Sequence, residues 1–267
     1  MKKDNYEVNR LYAYIMTSDT GFAPNPFHGV CTLACCKPRI RKSIAKYAIS
    51  EKEKCSELQI KDMNIWIVGL AGKYLAKDAS KKNRQSIIYV MKISTIMKFS
   101  EYWNCKDKRI KKKNPGNASD YFRCIHSLKE LAEFAEENSL IKACGDNIYE
   151  EEKEDFYKNN APLQSFHHID GKANGNNIRI DLSCEYVLLS DTFVYFGKEA
   201  EYPSELMETF PEIRRGHRVF YRRNPSKDSK QENDNPTILA FEKFLNENVT
   251  NFEKQLIGPP IHSSIVI

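Results

Sequence analysis

Five short apolar runs alternate along the chain with polar or Gly-containing segments. Each run is too short for a typical helix and is rich in β-branched or aromatic residues, which is the pattern of buried or half-buried strands. The sequence therefore predicts strands over residues 11–16 (LYAYIM), 65–72 (IWIVGLAG), 87–93 (IIYVMKI), 185–190 (EYVLLS) and 193–197 (FVYFG).

Helical spacing marks two other segments. Residues 119–143 place Leu128, Leu131 and Phe134 on one face and acidic residues on the opposite face, which predicts a surface helix. Residues 237–256 predict a second helix, because Asn-Pro directly before them supplies a cap and a first-turn residue.

The remaining long segments predict loops and a domain layout. Residues 104–117 are rich in Lys and end in NPGN, and residues 223–235 contain no apolar side chain, which is typical of a flexible linker. We expect an α+β fold in which a compact single domain carries a mixed sheet flanked by helices. The expected layout is a domain over 1–222, the linker over 223–235, and a C-terminal helix and tail over 236–267.

Composition excludes an integral membrane protein. Charged residues make up 29% of the chain, and its mean hydropathy of -0.60 is far below that of a bilayer protein. The first ten residues, MKKDNYEVNR, are polar and precede no apolar signal region, so we expect a cytoplasmic protein. In that compartment the eight cysteines are expected to be reduced thiols.

The charge distribution favours a polyanionic partner. The net charge of +5 is modest, but Lys and Arg crowd into 37–46, 106–113 and 214–227, while acidic residues concentrate in 130–137 and 150–155. The stretch 214–227 (RRGHRVFYRRNPSK) interleaves basic and aromatic residues. A solvated charged face explains any single Arg there, whereas phosphate contacts with base stacking would use both residue types.

The segment 19–41 (DTGFAPNPFHGVCTLACCKPRIR) has three competing interpretations. Its cysteines lack the paired spacing of zinc sites, so a metal knot is disfavoured. A tight structural loop explains the Gly and Pro residues but not Asp19, Asn25 and His28. Three polar groups in a rigid frame suit the wall of a pocket, with the cysteines mainly filling space.

Two further polar clusters have both structural and functional interpretations. GDNIY at 145–149 is a common turn when taken alone. SFHHIDGKANGNNIRID at 165–181 is equally compatible with a turn-rich surface loop and with a site, since His, Asp and Asn can orient water, move protons and bind base edges.

Several motifs, taken in order, resemble the nucleotide modification associated domain 2 family. They are SDTGFAPNPFHGVCTLACCKPRIRKS, IIYVMKISTIMKFSEYW, GDNIY, HHIDGKANGNNIRID and VLLSDTFVYFG, and the resemblance covers residues 10–218. IIYVMKI followed by FSEYW also resembles PUA and EVE barrels, which makes the expected sheet partly barrel-like. The chain departs from the family pattern in its charged segment 46–62, the helical segment around 125–138 and the tail beyond 222.

The resemblance implies a context of modified DNA bases in phages and bacteria, with a possible part in anti-phage defence. One hypothesis is a DNA glycosylase, which would flip out a modified base and hydrolyse its bond to the sugar without a metal or cofactor. The other is a reader that binds the base in an aromatic cage and recruits a partner. The density of Asp, Asn and His favours the enzyme.

The hypotheses assign roles to named residues. The candidate catalytic residues are Asp19, Asn25, Asp146, Asn147, His167, His168 and Asp170. The candidate substrate-binding residues are Phe22, Phe27, His28, Tyr149, Asn176 and Asn177. The candidate contacts to the DNA backbone are Arg39, Arg41, Arg214, Arg215 and Arg218.

Overall fold

The computed structural model describes residues 6–19, 21–79, 83–113, 146–149, 168–169, 172–173, 175–214, 216–222, 234–248, 252, 255–258 and 260–261. The strands in these residues are β1 (Arg10–Met16), β2 (Cys31–Leu33), β3 (Ile65–Ala71), β4 (Ile87–Lys92), β5 (Thr95–Lys98), β6 (His168–Ile169), β7 (Lys172–Ala173), β8 (Tyr186–Ser190), β9 (Thr192–Tyr195) and β10 (His217–Tyr221). The α-helices are α1 (Pro38–Lys54), α2 (Leu75–Asp78), α3 (Phe99–Trp103), α4 (Lys108–Lys111), α5 (Gly175–Leu182), α6 (Ser204–Thr209) and α7 (Pro236–Glu247). The fold is α+β, as the sequence predicts.

The first of two compact units is built on a mixed five-stranded sheet. It comprises the described residues within Met1–Ser18, Glu57–Ser94 and Asp191–Ile261. The strand order is β10-β1-β3-β4-β9, in which β1 and β3 are parallel and the other neighbours are antiparallel. Every residue of β3 (IWIVGLA) is buried, as expected for a central strand that is covered on both faces.

Helix α7 covers part of this sheet. Asn235 caps the helix through its side chain, which accepts a hydrogen bond from the backbone N–H of Thr237, and Pro236 occupies the first turn. Buried Phe241 lies edge-on to Trp66 of β3, with 6.1 Å between the ring centroids. The apolar stripe of α7 therefore completes the core of the first unit.

The second unit combines a three-stranded antiparallel sheet with α1. It comprises the described residues within Asp19–Ser56 and Thr95–Ser190, and its strand order is β2-β8-β5. Helix α1 buries Ile40, Ile44 and Ala48, which recur every four residues, and exposes Lys42 and Lys46 between them. This spacing is that of an amphipathic helix with one face in the core.

Arg41 fixes α1 from its buried face. The side chain is fully buried, and its guanidinium donates to the carbonyl oxygens of Cys36 (2.9 Å), Asp181 (2.7 Å), Cys184 (2.9 Å) and Tyr186 (2.5 Å). Arg41 therefore ties α1 to the end of α5 and the start of β8. The sequence expectation of a phosphate contact at Arg41 is wrong, because these carbonyls engage the guanidinium inside the unit.

The five predicted strands are confirmed within one or two residues at their ends. The helix predicted over 237–256 is present but ends at Glu247. The predicted loop at 104–117 contains the short helix α4, and α1 and α5 were not predicted. The predicted helix over 119–143 lies outside the described residues, as does most of the linker at 223–235.

The sheets of the described strands are open rather than closed into a barrel. The five-stranded sheet is mixed, as predicted. Across the described part of the chain, none of the helices combines the length and the apolar composition needed to traverse a bilayer.

Replacing Arg41 tests whether its hydrogen bonds to main-chain carbonyls stabilise the second unit. Arg41→Met leaves buried carbonyl oxygens without a donor, so the free energy of unfolding should fall by about 3 kcal/mol in urea denaturation followed by circular dichroism. Arg39→Met is the matched control, because Arg39 lies on the exposed face of the same helix; it should change stability by less than about 0.5 kcal/mol. Equal losses of unfolding free energy in the two variants would contradict a stabilising role for these hydrogen bonds.

Candidate functional site

Residues 25–32 form a closed turn that frames the site. The backbone N–H of Asn25 donates to the carbonyl of Thr32 at 2.8 Å, and the N–H of Thr32 donates back to the carbonyl of Asn25 at 2.9 Å. The Asn25 side-chain oxygen also accepts from the backbone N–H of Phe27 at 3.2 Å. These bonds give the segment the rigid frame that the sequence predicts for a pocket wall.

Lys113 inserts a buried cation into this frame. Its side chain is fully buried, and its ammonium donates to the Asn25 carbonyl and side-chain oxygens at 2.8 Å each and to the Thr32 hydroxyl at 2.9 Å. The residue follows α4, where its backbone N–H still bonds to the Ile110 carbonyl. The three acceptors match the three ammonium protons.

Asp146 is the buried anion that faces this cation through Thr32. Its Oδ2 accepts from the Thr32 hydroxyl at 2.6 Å, and its Oδ1 accepts from the Tyr102 hydroxyl at 2.8 Å. Thr32 thus accepts a hydrogen bond from Lys113 and donates one to Asp146. The pairing and the hydrogen bonds offset part of the desolvation cost of burying these two groups.

Burial also sets the protonation behaviour of the network. Desolvation raises the pKa of Asp146, while Lys113 and the hydroxyls of Thr32 and Tyr102 oppose that rise. Desolvation, followed by the negative charge of Asp146, raises the pKa of the Tyr102 phenol well above its ordinary value. Tyr102 therefore acts as a hydrogen-bond donor at neutral pH.

Asn147 presents an acceptor with no partner beside this network. Its backbone N–H donates to the Lys113 carbonyl at 3.1 Å, and its Nδ2 donates to the Tyr102 carbonyl at 3.1 Å. A carbonyl can only accept, so the amide nitrogen must face Tyr102 and Oδ1 must point elsewhere. Among the described residues nothing bonds to Oδ1, and an unmet buried acceptor costs about 1–3 kcal/mol.

A second carboxylate anchors the same segment. Asp181 is buried, and its Oδ2 accepts from the Tyr149 hydroxyl at 3.0 Å while its Oδ1 accepts from the Cys36 backbone N–H at 2.6 Å. Residues 146–149 are therefore held by Tyr102 and Thr32 at one end and by Asp181 at the other.

The structure brings four of the candidate catalytic residues into the interior of the second unit. Asp19, Asn25, Asp146 and Asn147 are all buried there, and Asn25, Asp146 and Asn147 are joined through Lys113, Thr32 and Tyr102. His167 and Asp170 lie outside the described residues. His168 lies on β6, and its side chain is not among those described.

Half of the six candidate substrate-binding residues are buried inside the second unit. Phe22 and Tyr149 belong to the apolar core of the second unit, where the Tyr149 ring packs against Phe99 at 5.0 Å between centroids. Phe27 is buried, and His28 is half-buried with a left-handed φ of 64°. Contact of these residues with a base stays a prediction.

The other candidate positions differ in exposure. On α5, Asn176 is exposed, and the side chain of Asn177 lies outside the description. Arg39 and Arg218 are exposed, and Arg214 is exposed in an ion pair with Glu212 at 2.9 Å. Arg215 lies outside the described residues.

The cysteines of the segment 19–41 are packing residues. Burial raises the pKa of Cys31 to about 12 and that of Cys36 to about 11, and it also raises the pKa of Cys35 well above its ordinary value. Thiols held protonated in this way are poor nucleophiles and poor metal ligands. Within the described residues, no three His, Cys, Asp or Glu side chains converge as metal ligands.

Sequence reasoning missed three members of the network: Lys113, Thr32 and Tyr102. Thr32 and Tyr102 lie inside quoted motifs, CTLACC and FSEYW, so a signal for them was present. Lys113 ends the run KKK at 111–113, in which only it is buried. Nothing in such a run distinguishes the buried Lys from its solvated neighbours.

The comparison with family models decides the relationship of this chain. The model described as nucleotide modification associated domain 2 matches residues 8–265. The chain belongs to this family. The match includes the tail beyond residue 222 that the motif resemblance did not cover. No significant match was found among curated proteins or among solved structures.

Membership of the nucleotide modification associated domain 2 family places the buried network in a nucleotide-related protein. The network supplies a carboxylate, an ammonium and an oriented amide within one rigid frame. A carboxylate has about four acceptor positions, so the two hydroxyl bonds to Asp146 leave capacity for a further donor.

The raised pKa of Asp146 predicts a pH dependence of stability. The folded state keeps the Asp146 proton to a higher pH than the unfolded chain, so the stability linked to this group is present at low pH and is lost as pH rises through the folded pKa. Asp146→Asn removes the titration. The free energy of unfolding of the wild type, relative to this variant, should therefore fall as the pH rises above the ordinary carboxyl pKa of about 4.

Asp62→Asn is the control for this measurement, because Asp62 is exposed. Its difference from the wild type should stay nearly constant over the same range. A wild-type advantage over Asp146→Asn that grows with rising pH would contradict the expected direction.

Proposed function

We propose that this protein recognises a modified nucleobase in DNA and hydrolyses its N-glycosidic bond, acting in the cytoplasm. The observation that carries the proposal is the buried pairing of Asp146 with Lys113 through Thr32, next to the oriented amide of Asn147, in a chain of the nucleotide modification associated domain 2 family. A part in defence against phages with modified DNA fits this activity.

The proposed reaction uses the carboxylate as its base. A water oxygen bonds to C1′ of the flipped nucleotide while the C1′–N bond breaks, and the bonding electron pair leaves with the base. One water proton passes to the Asp146 carboxylate, and Asp146 then gives a proton to the departing base, which returns the carboxylate to its starting state. The raised pKa of Asp146 suits this role, because a base with a higher pKa accepts a proton more readily.

A non-catalytic reader is the second candidate. It is favoured by the hydrogen bonds that both Asp146 oxygens already make, to Thr32 and to Tyr102, since these bonds suit a fixed recognition surface. It is disfavoured by the burial of Phe22, Phe27 and Tyr149, three of the four aromatic residues that could supply its cage; the fourth, Trp103, is half-buried.

Helix α1 is the proposed contact to the DNA backbone. Arg39, Lys42 and Lys46 are all exposed, and their spacing of three and four residues puts them on one face of the helix. None of them forms an ion pair with a described residue, and Arg41 holds the helix rigidly from within. Free cations on a fixed helix suit phosphate contacts.

Base release tests the catalytic proposal. Purified protein is incubated with duplex DNA that contains 5-hydroxymethylcytosine or its glucosylated form, and free base is measured by mass spectrometry together with alkali-labile abasic sites. The wild type should release base, and Asp146→Asn should reduce the rate at least 100-fold, which is of the order of one general base.

Asp62→Asn is the control for base release and should match the wild type, since Asp62 is an exposed residue of the first unit. Tight binding of the modified DNA without release of base by the wild type would replace the glycosylase with the reader. A rate that Asp146→Asn leaves unchanged would remove Asp146 from the mechanism.

The salt dependence of DNA affinity tests the role of α1. Replacing Arg39, Lys42 and Lys46 together with Gln should lower the slope of log Kd against log salt concentration by about 1 for each residue. Lys52→Gln is the control, because Lys52 is exposed near the end of the same helix but off that face. If Lys52→Gln lowers this slope by as much as each replacement on the α1 face, net charge alone would explain the salt dependence.

A further inference from the structure

We infer that Asn147 Oδ1 receives a hydrogen bond from the exocyclic amino group of the bound base, so that the site takes amino-bearing bases of the cytosine type. This inference rests on the proposed function, because it names the class of base that the same site accepts. The geometry that carries it is the fixed amide of Asn147 and the direction of the neighbouring donors.

The Asn147 amide cannot turn to hide its oxygen. Its Nδ2 donates to the Tyr102 carbonyl, and its backbone N–H donates to the Lys113 carbonyl, each at 3.1 Å. Rotating the amide by 180° would set Oδ1 against the Tyr102 carbonyl, acceptor against acceptor. The residue is only 1% exposed, so bulk water does not reach this oxygen freely.

The side-chain donors of the buried network are already directed at protein acceptors. The three ammonium protons of Lys113 face Asn25 and Thr32, and the hydroxyl protons of Thr32 and Tyr102 face Asp146. The hydrogen-bonding groups of the network that are still unused are acceptors, namely Asn147 Oδ1 and the remaining lone pairs of Asp146.

Acceptors select a base that presents N–H groups. The 4-amino group of cytosine carries two such protons, whereas uracil and thymine place a carbonyl oxygen at that position. A carbonyl facing Asn147 Oδ1 would leave two acceptors opposed and both unmet, which is the arrangement that gives polar sites their strongest discrimination. A 5-hydroxymethyl or glucosyl group leaves the 4-amino donor in place.

The test compares two nucleosides that differ at this amino group, which one carries with its two protons and the other with two methyl groups in their place. Calorimetry measures the affinity of the full chain for 5-hydroxymethyl-2′-deoxycytidine and for its N4,N4-dimethyl form, which has no amino proton. The wild type should prefer the first by about 10-fold, the factor expected for one hydrogen bond. Asn147→Ala should lose this preference, and the control Asp62→Asn, at an exposed residue of the first unit, should retain it.

Each outcome decides the inference. Equal affinities in the wild type, no binding of either nucleoside, or a preference that survives in a folded Asn147→Ala variant would overturn it. A preference for the nucleoside with amino protons, combined with no release of base from DNA, would support the inference and contradict the proposed glycosylase activity. Release of base with equal affinities would support the glycosylase and remove the inference. The melting temperature of each variant shows that it is folded.

Discussion

The second unit depends on a buried pair of opposite charges joined by one hydroxyl. Lys113 and Asp146 are both removed from water, and Thr32 lies between them, accepting from the ammonium and donating to the carboxylate. Neither charge could stay buried alone, because its desolvation would not be offset. This pair therefore holds the turn at 25–32 and the segment 146–149 together, because Lys113 bonds to Asn25 of the turn and Thr32 bonds to Asp146 of the segment.

A second buried cation, Arg41, fixes helix α1 to the rest of this unit. It gives its hydrogen bonds to main-chain carbonyls, which join α1 to α5 and β8, and Asp181 then links α5 to Tyr149. Two buried cations thus organise the same short segment from different sides. One of its residues, Asn147, is left with an unused acceptor, and a rigid frame that keeps such an atom unmet is a frame suited to a ligand.

The strands could be predicted from sequence because burial on both faces leaves continuous apolar runs, of which IWIVGLA is the clearest. Helix α1 was missed because Lys and Arg make up 6 of its 17 residues and drew attention to charge, although Ile40, Ile44 and Ala48 have helical spacing. The polar motifs indicated Asn25, Asp146 and Asn147. Lys113 and the inward direction of Arg41 could not be predicted, since side-chain burial depends on contacts distant in sequence.

The central claim is that the buried polar network of the second unit binds a nucleobase. The most direct test is a crystal structure of the protein with an oligonucleotide that contains one 5-hydroxymethylcytosine. The account predicts that the modified base leaves the duplex stack, with its amino nitrogen within about 3 Å of Asn147 Oδ1. A complex in which that base stays stacked, or binds away from Asn147 and Asp146, would contradict the account.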